Sequence, residues 1–97
     1  MTDEIYQRIE SVVKGSVQGV SFRTYTKRKA TSLGLTGSVR NLPNGDVKVI
    51  AEGPRTQLIL LINWLKATGS PASHVTAVNV QWFETLEHYS SFRIAFN

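Results

Sequence analysis

The sequence predicts an α+β two-layer sandwich in which two helices cover one face of a mostly antiparallel sheet. Three observations carry this expectation. The chain has 97 residues, enough for one hydrophobic core and too few for two. Segments of period-two hydrophobicity and segments of helical spacing follow one another as β-α-β-β-α-β, with one further strand at the end. Between the second and third strands stands Asn44-Gly45, a dipeptide that strongly favours a tight hairpin, so those strands are antiparallel neighbours.

Ile9, Ser11 and Val13 alternate with Arg8, Glu10, Val12 and Lys14, which suits a first strand ending at Gly15. Phe22, Thr26, Ala30 and Leu33 recur at helical spacing, with Lys27, Arg28 and Lys29 mostly on the outer faces and Gly34 as the stop. Thr36 to Leu42 reads as the second strand, Pro43 to Asp46 as the turn, and Val47, Val49 and Ala51 as the inward positions of the third. Pro54 suits the first turn of a second helix whose buried stripe is Leu58, Leu61, Ile62 and Leu65, ended by Gly69-Ser70-Pro71. Val75 to Phe83 and Ser90 to Phe96 read as the last two strands. In the final one Phe92, Ile94 and Phe96 share one phase and are expected in the core. The order is that of a ferredoxin-like split β-α-β fold, spanning 1–97 as a single domain without repeats or linkers. Right-handed crossovers place both helices on one face and leave the other partly open.

Composition narrows the chemistry. Hydrophobic residues make up 41% and charged residues 19%, a balance that favours folding over disorder. The absence of cysteine removes disulfides, a thiolate nucleophile and cysteine zinc sites, and two distant histidines make a poor metal centre. Neither a metal nor a cofactor is therefore expected, and His74 and His88 read as surface residues. The stretch Leu58–Leu65, interrupted by Asn63, is far shorter than a membrane span. The acidic start, with Asp3, Glu4 and Glu10, is unlike a secretory signal, so a cytoplasmic setting without a membrane partner is expected. The net charge of +4 lies wholly in residues 1–40, where seven cations face three anions, while 41–97 balance at four and four. Such an excess suits an anionic partner, whether nucleic acid or a phosphate-bearing metabolite, and equally a plain basic surface.

The loop Gly15-Ser16-Val17-Gln18-Gly19-Val20-Ser21-Phe22-Arg23 joins a strand end to a helix start. Main-chain N–H groups curving into a helix N-terminus make a concave array of donors suited to phosphate. Gly19 permits a positive φ and Phe22 anchors the loop end in the core. Arg23 adds a permanent cation whose planar fork can grip phosphate oxygens bidentately. Two glycines in nine residues are equally what a plain turn requires, and an arginine on a basic helix equally faces solvent. Asn41, near the end of the second strand, offers a neutral amide able to orient a water, or else simply begins the turn to Pro43.

The segment Val17-Gln18-Gly19-Val20-Ser21-Phe22-Arg23 resembles the signature loop of acylphosphatases. Leu33-Gly34-Leu35-Thr36-Gly37-Ser38-Val39-Arg40-Asn41 resembles the second signature of that family, and the similarity runs through Gly53, the Leu58–Leu65 helix and Phe92-Arg93-Ile94. Ser38 stands where the family often carries an aromatic residue, a departure that bears on packing around its strand rather than on the loop. The resemblance implies metal-independent hydrolysis of acyl phosphates to carboxylate and inorganic phosphate. It implies that Arg23 and the amides of Ser16, Val17, Gln18, Gly19 and Val20 hold the phosphoryl group while Asn41 positions the attacking water. The expected partners are a small-molecule acyl phosphate and its phosphate product, with no nucleic acid and a monomeric chain. The competing reading is a small basic nucleic-acid-binding module of the same fold, whose support would be the strand aromatics Trp82, Phe92 and Phe96.

Overall fold

A computed structural model describes residues 4–19, 21–67 and 73–96. The elements run β1 (Tyr6–Ser16), α1 (Phe22–Ser32), β2 (Thr36–Asn41), β3 (Val47–Pro54), α2 (Arg55–Ala67), β4 (His74–Phe83) and β5 (Phe92–Ile94). The sheet order is β4-β1-β3-β2-β5. β3 is antiparallel to both β1 and β2, β4 is antiparallel to β1, and only β5 runs parallel to its neighbour β2. This is the expected ferredoxin-like sandwich with its additional strand. Pro54 closes β3 and α2 starts one residue later, at Arg55. The expected stop at Gly69-Ser70-Pro71 lies outside the described residues.

Alternation decides which side of each strand is dry. Ile9 and Val13 on β1, Val39 on β2 and Val47, Val49 and Ala51 on β3 are fully buried. They meet Phe22, Thr26 and Ala30 from α1 and Leu58, Leu61, Ile62 and Leu65 from α2, so both helices share one face. Phe22 stacks on Trp64 with ring centroids 6.3 Å apart, joining the two helices at the start of α1. Each fully buried leucine of α2 contributes about 1.5–3 kcal/mol. At the Lys14/Gly15 step the β1–β4 register shifts, and Gly15 has φ 131°. A side chain there would collide with the His74 carbonyl, so only glycine lets β1 leave the sheet into the loop that follows.

The other face of the sheet is polar. Glu10 pairs with Lys48 at 3.3 Å and with Arg8 at 3.6 Å, and Arg8 reaches Glu87 at 3.5 Å. Glu52, 5% exposed, accepts the backbone N–H groups of Glu87, His88 and Tyr89 and so ties down the β4–β5 connection. Ser38 lies on this face, opposite Ile50 and beside Arg93. Its small side chain borders a surface recess of about 620 Å³ at the β2–β5 edge and leaves the core intact.

The last strand departs from expectation. Its ladder covers only Phe92–Ile94 and ends with the Ala95 N–H donating to the Val39 carbonyl at 2.8 Å. Phe92 is buried as expected, but Phe96 is 77% exposed. The β2–β5 ladder stops at the Val39–Ile94 pair although β2 runs on to Asn41, so the alternation continues past the last paired residue and Phe96 lies outside the sheet, exposed.

Candidate active site

Four segments converge on a cavity of about 340 Å³. The loop after β1 contributes Val17, Gly19 and Ser21, and the first turn of α1 contributes Phe22, Arg23 and Thr24. The end of β2 contributes Asn41, and the C-terminal segment contributes Ile94 and Phe96. Val17 and Phe22 are each 1% exposed, so the loop is pinned to the core at both ends of its curve. Between them Gly19 has φ 73° and Ser21 φ 60°. The left-handed conformation costs a residue with a Cβ about 1–2 kcal/mol, yet Ser21 occupies the N-cap there, and its carbonyl accepts the Tyr25 N–H at 3.1 Å.

Arg23 and Asn41 therefore border the same space, although one opens a helix and the other closes a strand. Among the described residues no carboxylate pairs with Arg23, whose guanidinium lies 4.9 Å from the Phe96 ring. The first turn of α1 holds no acidic residue, so the helix dipole and the guanidinium present positive potential to the cavity without an internal counter-charge. Among the described residues, none of the lining side chains is a carboxylate, imidazole, thiol or amine. The site can bind an oxyanion and orient a neutral nucleophile, and among the described residues it offers no side chain for proton transfer near neutral pH.

The loop residues divide. Val17 and Gly19 line the cavity, Ser16 pairs with His74 at the end of β1, and Val20 lies outside the described residues. Gln18 turns its side chain away, donating from Nε2 to the Leu42 carbonyl at 2.8 Å and to the Asp46 carbonyl at 2.7 Å. His74 and His88 are exposed, as the sequence suggests.

A family model described as Acylphosphatase matches residues 9–94. The chain belongs to the acylphosphatase family. An acylphosphatase from Acaryochloris marina is 49% identical over 86 residues, covering 89% of this chain and 90% of that one. The structure of an acylphosphatase from Coxiella burnetii superposes with a TM-score of 0.89 at 40% identity, covering 98% of this chain and all of the other. That from Bacillus subtilis gives 0.90 at 36% identity, over 93% and 99% of the two chains. Acylphosphatases are hydrolases of acyl phosphates, and both signature segments of this acylphosphatase chain border its cavity.

Three features at or beside this cavity carry no clear signal in the sequence. Phe96 reads as core because it continues the phase of Phe92 and Ile94. Thr24 is an unremarked helix residue until the first turn of α1 is seen to edge the cavity. The Gln18 carboxamide reads only as part of the loop, because its acceptors are 24 and 28 residues away. Among the described residues no helix is long and apolar enough to cross a membrane.

Proposed function

We propose that the chain hydrolyses acyl phosphates by in-line attack of water on phosphorus, with the phosphoryl group held by Arg23 and the main-chain N–H groups of Ser16 to Val20 and the water oriented by the Asn41 amide. The observation that carries this reading is the shared cavity of Arg23 and Asn41. The new bond forms between the water oxygen and phosphorus, and the bond from phosphorus to the acyl oxygen breaks. The carboxylate leaves as an anion and the water protons stay with the phosphate, which departs as dihydrogen phosphate. A carboxylate is a weak base and needs no general acid, so positioning and fixed positive potential supply the rate gain.

No metal step is included, because the described lining side chains contain no carboxylate, imidazole or thiolate to anchor a metal ion. All of these groups come from one chain, which supports a monomer of one domain as the working unit. Lack of cysteine supports a cytoplasmic setting. The sheet aromatics are poorly placed to stack bases, since Trp82 is covered by Arg55 and Phe83 by Arg8, each guanidinium 4.4 Å from the ring. This weighs against nucleic acid as a partner.

The test is phosphate release from benzoyl phosphate by the purified protein with EDTA present. Wild-type protein is expected to turn over. Asn41→Ala should lose turnover while inorganic phosphate still inhibits binding of the substrate analogue, and Arg23→Ala should damage both. Near-wild-type turnover in both variants would refute the assigned roles.

A further inference from the structure

We propose that Gln18 acts through its side chain as a positioning residue, bracing the Asn41 end of β2 against the phosphate loop. This rests on the reading of Asn41 as the group that orients water. The Gln18 Nε2 atom has two N–H groups, and the two short bonds to the Leu42 and Asp46 carbonyls occupy both. Leu42 follows Asn41 directly. The same two carbonyls close the hairpin, since the Leu42 N–H donates to Asp46 at 2.8 Å and the Gly45 N–H donates to Leu42 at 3.1 Å. The carboxamide thus sits across the mouth of the turn and joins both of its legs to the loop.

The two sides of this brace are not equally secure without it. The loop is held by Val17 and Phe22, both sealed in the core. The ladder holds the hairpin only up to its base, where Val47 pairs with both Val13 and Asn41. Beyond it the tip exposes Pro43 and Asn44, and its side-chain tie to β1 among the described residues is the 2.9 Å pair between Lys14 and Asp46, whose lysine side chain is 45% exposed. An ion pair that open to solvent restrains weakly. Loss of the Gln18 amide therefore loosens the Asn41 side and spares the anion-binding side. Turnover should suffer while affinity for phosphate does not.

Gln18→Met keeps the length of the side chain and removes both donors, and Gln18→Asn keeps the amide but shortens its reach. Either variant should lower kcat on benzoyl phosphate at least about fivefold, since small displacements of a positioned nucleophile are costly, and should leave the inhibition constant of inorganic phosphate within about twofold. A thermal melt identifies folded protein, and a folded Gln18→Asn serves if Gln18→Met does not fold. Unchanged kcat in a folded variant overturns the brace. So does a parallel loss of phosphate inhibition, which would place the effect in the loop. Asn41→Ala measured alongside separates the two ideas, because wild-type turnover in that variant removes the water-orienting role itself, whatever Gln18 does.

Discussion

The Arg23 guanidinium carbon lies 4.9 Å from the centroid of the Phe96 ring, and that ring is 77% exposed. No described carboxylate pairs with Arg23, so the aromatic face is a contact that restrains where its fork points. A cation–π contact at an exposed site is worth about 0.5–1 kcal/mol.

Phe96→Ala should therefore weaken inhibition by inorganic phosphate about two- to fivefold, with Phe96→Tyr retaining most of the affinity. The thermal midpoint should hardly move, because little of the ring is buried. A large drop in stability would show that the ring serves packing instead.

Gly19→Ala tests the loop. The residue has φ 73°, and an added Cβ would meet no atom within 4 Å, so the penalty is conformational and amounts to about 1–2 kcal/mol. Relief of that strain would shift the loop N–H groups. Loss of one charge-assisted hydrogen bond to phosphate, at about 1.5 kcal/mol, gives roughly tenfold weaker inhibition. Urea unfolding and a phosphate titration measure the two effects separately.

Ser11 is fully buried, and its hydroxyl has no hydrogen-bond partner among the described residues. It faces the core between Val49 and Val80 in the pairing register. Ser11→Ala removes an unpaired polar atom, so stability should be unchanged or higher by up to about 1 kcal/mol. The urea midpoint decides it, and a clear loss of stability would mean that the hydroxyl is satisfied. Turnover should be unaffected, since Ser11 is not among the described residues that line the cavity.

Burial raises the pKa of the Tyr89 phenol, and the carboxylates of Glu87 and Glu52 raise it further against an opposing effect of Arg8. The folded protein then holds its proton at a pH where the unfolded chain has released it. Stability from this group is complete below about pH 10, the ordinary value for tyrosine, and is lost as pH rises through the higher folded value. Tyr89→Phe should flatten the alkaline decline of the thermal midpoint, and the wild-type decline persisting unchanged in that variant would assign it to other groups.

The helix stripes Phe22/Thr26/Ala30 and Leu58/Leu61/Ile62/Leu65 were legible because each is a local record of one face turned from water. The Asn44-Gly45 hairpin was legible because its chemistry is contained in neighbouring residues. Phe96 was misleading for the complementary reason. Period two reports a side of a strand, and it does not report where the ladder with the neighbouring strand stops. The role of Glu52 was equally hidden, because its buried carboxylate is satisfied by N–H groups of residues 87–89, on the far side of α2 and β4.

From its residues alone this chain specified the succession of its elements, the dry face of each, the glycine-bearing loop before a basic helix, and the two family signatures. These depend on spacing and on the conformational freedom of single residues. Tertiary structure decided that the first turn of α1 and the last residue of β2 meet at one cavity, that Phe96 stands over Arg23 outside the core, and that Gln18 bridges loop and hairpin. Those relationships follow from the order β4-β1-β3-β2-β5, which joins residues distant along the chain and is settled by packing the whole core at once.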